Sequence, residues 1–193
     1  MKKSVLALWI VASLATSGTG RAASEDAPIW KEVDGWSLRV DTTIGYGCFL
    51  MAEFEKGTIL RFGFLPEAKT MYVMLADNDW KSLEVGKEYA LQLKMGREDA
   101  WDAPAKAIDM SGTTVLFVTT DKVQFLREFM EQTNFTASYD GEVITQLSLR
   151  GTANAGRELI ACQEVFAETN GAAQKTGRDP FAKGTESRDP FAK

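Results

Sequence analysis

The sequence predicts a mainly β protein of the α+β class: an antiparallel β-sandwich or open barrel with two helices in its C-terminal half, stapled by one disulfide. Three observations carry this prediction. Between Trp36 and Thr120, apolar and polar residues alternate with period two, as strands that bury one face require. The connections between these segments are short, which suits antiparallel pairing, because parallel strands need crossovers of a dozen or more residues. Beyond Asp121 the apolar spacing changes to the helical period, once on each side of a hairpin signature.

The elements follow in chain order. Lys2 and Lys3 precede an apolar run, Val5 to Ala15, which is followed by small residues and Gly20-Arg21-Ala22-Ala23. This is the three-part layout of a secretory signal, assigned to residues 1–22. The run is too short to span a bilayer, which takes about 20 apolar residues. The mature form is therefore expected in the periplasm or secreted, and not membrane-spanning. No cysteine follows the run, so no lipid anchor is indicated.

Residues 23–168 form one β-rich domain. Trp36, Leu38 and Val40 mark one face of a first strand. The segments Cys48–Glu55, Thr58–Leu65 and Thr70–Asp77 follow as a meander. Lys56-Gly57 has the length of a two-residue hairpin turn, with glycine supplying a positive φ. Tyr89, Leu91, Leu93 and Met95 face one way on another strand, and Thr113–Thr120 reads as a strand buried on both sides at its centre. Gly45 and Gly47 relieve crowding where the chain enters a strand. Asp121 is placed to cap a helix with the stripe Val123, Leu126, Phe129 and Met130. Thr152 or Asn154 caps a second helix, with Ala155, Leu159, Cys162 and Phe166 on one face. Between the helices, Asp140-Gly141 marks a hairpin. Residues 169–193 are polar and glycine-interrupted and are expected to be a disordered tail, in which RDPFAK occurs twice and carries Phe181 and Phe191.

Composition narrows the function. The chain has 22 basic and 27 acidic residues, a net charge of −5, and loses Lys2, Lys3 and Arg21 with the signal. Such an acidic body is repelled by phosphate backbones and anionic lipid, so nucleic acid is not an expected partner. Its two cysteines, Cys48 and Cys162, would meet an oxidising compartment after export and are expected to pair. The loop they close corresponds to roughly 4–5 kcal/mol in the chain-entropy view. With no histidine in the chain, Ser-His-Asp and Cys-His catalysis and His-ligated zinc are excluded. No dinucleotide or P-loop pattern is present, and no cofactor or metal is expected.

The stretch FTASYDGEVITQLSLRGTANAGRELIACQ, preceded by a helix, resembles the C-terminal portion of the invasion-associated locus B family, small exported β-rich proteins of bacterial envelopes. Its most specific piece is Leu147-Ser148-Leu149-Arg150-Gly151 with Ala153 or Ala155. The chain departs from the family at Thr152, where an aromatic is usual, and lacks the family's additional N-terminal cysteines, so that disulfide pattern does not carry over. The first half, from WSLRVD through GYGCFLMAEFEKGTILRFGF, resembles other exported bacterial proteins. The resemblance implies an envelope or secreted factor without known catalysis, of the host-interaction or virulence type, and supplies no functional residues.

Two clusters could contact a ligand: Asp77, Asp79 and Trp80 in LADNDWKS, and Glu98, Asp99, Trp101 and Asp102 in GREDAWDAP, both placed on loops. Paired carboxylates can act as acid and base without histidine, and tryptophan bordered by acids suits sugar contacts. An ordinary hairpin loop whose tryptophan folds onto the sheet has the same composition. The leading expectation is thus a non-enzymatic exported protein that binds a protein or envelope component. The alternative is a carboxylate-dependent carbohydrate-binding or carbohydrate-active protein using both loops.

Overall fold

A computed structural model describes residues 27–176, which contain ten strands. They are β1 (Ile29–Val33), β2 (Trp36–Asp41), β3 (Gly47–Glu53), β4 (Ile59–Leu65), β5 (Thr70–Ala76), β6 (Glu88–Met95), β7 (Trp101–Met110), β8 (Thr113–Thr120), β9 (Asn134–Tyr139) and β10 (Glu142–Ser148). Helix α1 (Val123–Glu131) precedes β9, and α2 (Thr152–Thr176) follows β10. All strands join one antiparallel sheet in the order β1-β2-β3-β4-β5-β8-β7-β6-β9-β10. Among the described residues β1 and β10 are its two edges and do not pair with each other, so the sheet is an open barrel. The signal segment and the Phe181 and Phe191 repeats lie outside the described residues.

The period-two pattern aims one set of side chains at a common interior. Leu38, Leu50, Leu60, Phe62, Leu93 and Phe135 are among its fully buried members. Helix α1 fills this interior with Phe125 and Phe129: the Phe129 ring stacks on Phe62 at 4.4 Å and meets Trp36 edge-on at 5.7 Å. Helix α2 adds Ala155, Leu159 and Cys162. The disulfide Cys48–Cys162 ties it to β3, and the Gln163 side chain accepts a hydrogen bond from the Cys48 N–H at 2.9 Å.

The chain leaving β10 is pinned to the β1–β2 turn. The Trp36 indole donates to the Arg150 carbonyl at 3.0 Å, and Asn154 donates to the Asp34 carboxylate at 2.6 Å. Gly151 has φ +88, and a Cβ there would fall 2.5 Å from the Asp34 carbonyl oxygen. Both the left-handed backbone and the close approach require glycine.

The outer face of the sheet carries a second apolar cluster of Phe49, Tyr72, Met74, Ala76 and Val115. Arg61, only 3% exposed, sits within it. Its guanidinium lies 3.5 Å from the Phe49 ring centre, donates to the Asp41 carboxylate at 2.6 Å and donates through Nε to the Tyr72 hydroxyl. Gly63 leaves room for the flanking rings, since a Cβ there would come within 2.6 Å of Phe49 Cβ and 2.9 Å of Tyr72 Cε1. Burial pushes the Tyr72 hydroxyl pKa up, against the opposing pull of Arg61. Burial also raises Asp41, but hydrogen bonds from Thr43 and Arg61, with the Arg61 charge, outweigh it and hold the carboxyl below its ordinary value of 3.8.

Several expectations change. Residues Trp101–Met110 form β7, so Trp101 and Asp102 lie on a strand and not in a loop. The inner positions of β7 are the small residues Ala103, Ala105 and Ala107, a weak apolar signal interrupted by Pro104. That proline lies outside the stretch paired with β8, which begins at Lys106. The meander runs unbroken only through β5: the chain then crosses to β6 and returns through β7 to β8, which pairs with β5. The Lys56-Gly57 turn is a three-residue loop: the Gly57 N–H bonds the Phe54 carbonyl, Gly57 has φ +79, and the Phe54 N–H bonds the Thr58 carbonyl. Asp140-Gly141 is the expected two-residue turn, with φ +52 and +80.

Helix α1 starts after Lys122, which makes no side-chain cap, and Asp121 does not cap it. Its buried stripe is Phe125, Glu128 and Phe129, whereas Val123 is exposed. Helix α2 continues to Thr176, past the Glu168 boundary that composition suggests.

Two outcomes test this account. Asp41→Ala leaves the Arg61 charge buried and uncompensated, and should cost about 3–5 kcal/mol of unfolding free energy at neutral pH in a urea titration. Because the folded pKa of Asp41 lies below its unfolded value, the contribution is present above the unfolded pKa and lost as pH falls through the folded one. The native protein should therefore lose this increment below pH 3.8, and the variant should not. Reducing Cys48–Cys162, whose sequence separation is 114, should lower stability by roughly 4–5 kcal/mol, read as a shift of the urea midpoint with and without reductant.

Candidate functional site

The strand β5 ends at Ala76, and the chain turns through Asp77–Trp80. One Asp77 carboxylate oxygen accepts from the Asp79 N–H at 2.9 Å, the other from the buried Thr58 hydroxyl at 2.6 Å. The Trp80 N–H closes the turn on the Asp77 carbonyl at 3.2 Å. This local network is favoured by aspartate, whose side chain bonds the backbone two residues on. It holds the Trp80 ring, partly buried, against the edge of the inner core.

Trp80 separates two hollows. One, of about 260 Å³, is apolar and is walled by Leu83, Tyr89, Leu91, Tyr139 and Ile144. Tyr89 is fixed there by an edge-on contact with Tyr139 at 5.5 Å and by accepting the Glu84 N–H at 2.9 Å. The other is a groove of about 750 Å³. One bank is the β3–β4 loop with Asp77 and Asp79; the opposite bank is β10 from Val143 to Ser148. Asp79, Trp80 and Ile144 border both hollows, so the pocket opens beside the groove.

β10 is paired on one side only, by β9. An edge strand presents a row of backbone N–H and C=O groups to any extended chain beside it. Natural edges are often blunted by lysine or proline, yet EVITQLS contains neither. Val143 stands 61% exposed on this edge. A bulge between Val143 and Thr145 interrupts the register with β9. The charged side chains on the facing bank are Glu55, Lys56, Asp77 and Asp79.

The second predicted cluster is elsewhere. Strand register sets Leu75 opposite Leu116 and Leu116 opposite Ala107, so Asp77 lies beyond the Ala107 level of β7. Trp101 is six residues from Ala107 in the other direction, about 20 Å along a strand. Trp101 and Asp102, as neighbours on β7, point to opposite faces. Trp101 turns inward, packs edge-on against Phe125 at 5.5 Å and donates its indole N–H to Glu128 at 2.7 Å. Glu128 also accepts from Gln124, so its carboxylate is satisfied within the fold. Glu98 accepts from Gln132, and Asp99 and Asp102 are exposed. The structure thus brings Asp77, Asp79 and Trp80 to one groove and leaves Asp99, Trp101 and Asp102 outside it.

Sequence reasoning missed Leu83, Tyr89, Tyr139 and Ile144 as lining residues, and β10 as an edge. Ile144 stands in a strand signalled by Asp140-Gly141, but which strand ends a sheet is not a local property. Among the described residues no group of three or more carboxylates or thiols could hold a metal ion, and no helix is long and apolar enough to cross a membrane.

No family model matches the sequence, and no curated protein does. Among solved structures, the fold is similar to that of invasion associated protein B from Bartonella henselae, with a TM-score of 0.51 and 14% sequence identity. The likeness covers 69% of this chain and 97% of that one, and at this identity it is a likeness of fold.

Proposed function

We propose that this chain is an exported, non-enzymatic binding protein of the bacterial envelope that receives an extended polypeptide segment along the free edge of β10. The observation that carries this reading is the groove itself, in which a strand edge without lysine or proline faces a polar bank and adjoins an apolar pocket at Trp80. Strand addition uses main-chain hydrogen bonds for affinity and a pocket for alternate side chains for selectivity. The groove supplies both. The Cys48–Cys162 cross-link suits an oxidising compartment outside the cytoplasm. The structural neighbour, an invasion associated protein, is compatible with a role in the envelope or at a host surface.

The carbohydrate reading needed two carboxylate clusters at one pocket, spaced as paired acids in glycosidases are. The register between β5, β8 and β7 separates them, so it finds no support here.

Panning a random peptide library against the folded protein should yield extended sequences with an apolar residue at a fixed position. Trp80→Ala removes the pocket wall and should weaken such peptides at least about tenfold, near 1.4 kcal/mol. Val143→Lys, at an exposed position, should weaken them without disturbing the core. Peptides indifferent to both substitutions would sink the proposal.

A further inference from the structure

The RDPFAK repeat has chemistry that matches the groove. Phenylalanine is an apolar residue sized for the hollow of about 260 Å³ beside Trp80. Its neighbours at alternate positions, which share its face in an extended strand, are oppositely charged: Asp189 and Lys193 flank Phe191. The facing bank offers both partners, Lys56 on one hand and Asp77 with Asp79 on the other. Asp189 precedes Pro190, and the residue before a proline favours an extended backbone. Pro190 lacks an N–H, which an added outermost strand tolerates on its free side.

Chain length chooses between the two copies. α2 begins at Thr152, four residues after β10 ends, and its early residue Asn154 is bonded to the β1–β2 turn at the groove's end of the sheet. The helix then leads away: Cys162 reaches β3, Phe166 stacks on Tyr46 at 5.7 Å, and the described helix runs to Thr176. Its 25 residues carry the chain roughly 37 Å from its start. A return to the groove must cover a comparable distance. At about 3.4 Å per extended residue, Phe181 reaches only about 17 Å beyond Thr176, whereas Phe191 reaches about 50 Å.

We infer that the second copy, Arg188–Lys193, docks in the groove of its own chain as an added strand on β10, with Phe191 in the Trp80 pocket. The inference rests on the reading of β10 as a strand-receiving edge. It makes the tail an internal occupant that an external strand must displace, so the protein carries its own competitor for the site.

Hydrogen exchange on the full-length mature chain tests this. Phe191→Ser should speed exchange of the amides from Glu142 to Ser148 and of Trp80 by about tenfold or more, leaving β2–β5 unchanged. Phe181→Ser should have no such effect. Adding a synthetic peptide of residues 184–193 should restore protection to the Phe191→Ser protein. Unchanged exchange in Phe191→Ser would overturn the inference, as would equal effects of both substitutions. Protection that rises with protein concentration would overturn it too, by pointing to a second copy as donor. Peptides from the library panning that bind at Trp80 while Phe191→Ser changes nothing would retire the tail and keep the groove.

Discussion

Every strand from β2 to β10 contributes side chains to the inner face of the sheet, and because β1 and β10 do not pair, that face cannot be sealed by the sheet alone. Apolar area left open to water would cost roughly 25 cal/mol per Å². The two helices meet this constraint. Phe125 and Phe129 of α1 enter the interior between Trp36, Phe62 and Trp101, and α2 lies across β2 and β3. Helix α2 is held at several points: the disulfide at Cys162, the Gly151 contact with Asp34 at its start, and Phe166 against Trp30 and Tyr46. The disulfide therefore acts on the piece of the fold that the open sheet most needs.

The same openness creates the candidate site. A closed barrel has no edges, whereas an open one must leave two. Near β1, α2 supplies Phe166 to Trp30 and Glu158 to Lys31, and the latter pair, being exposed, adds little stability. At β10 the neighbouring feature is instead the groove, bordered by the β3–β4 loop and the Asp77 turn. The hydrogen bonds of Asp77 and the placement of Trp80 are linked: the carboxylate shapes the turn through Asp79 and Thr58, and the turn sets the ring at the mouth of the pocket.

How much was legible depended on whether a signal was local. The strands containing Trp36 and Leu91 announced themselves by alternation, the strand containing Leu116 by a short apolar run between threonines, and Asp140-Gly141 by its turn chemistry. β7 did not, because its inward positions are alanines and Pro104 interrupts it. Those alanines make sense only within the assembled core, where all three are buried. Helix α1 was found, but its stripe was rotated: Val123 looks apolar in sequence, while Glu128 is buried because Trp101 and Gln124 satisfy it. Pairing across 27 residues is invisible to a helical wheel.

By itself, then, the sequence determined what short-range chemistry controls: a mainly β antiparallel fold, two C-terminal helices, positive-φ turns at aspartate-glycine and lysine-glycine, and a pair of cysteines fated to meet. Tertiary structure decided the strand order beyond β5, the buried Arg61–Asp41–Tyr72 network, the separation of Asp77 from Trp101, and the edge at β10. The reason is physical. Alternation reports which face of a strand is buried, and turn residues report where the chain reverses, but neither encodes which strand lies alongside which. That choice is made by the joint packing of the sheet on α1 and α2, and the groove beside Trp80 exists only as its consequence.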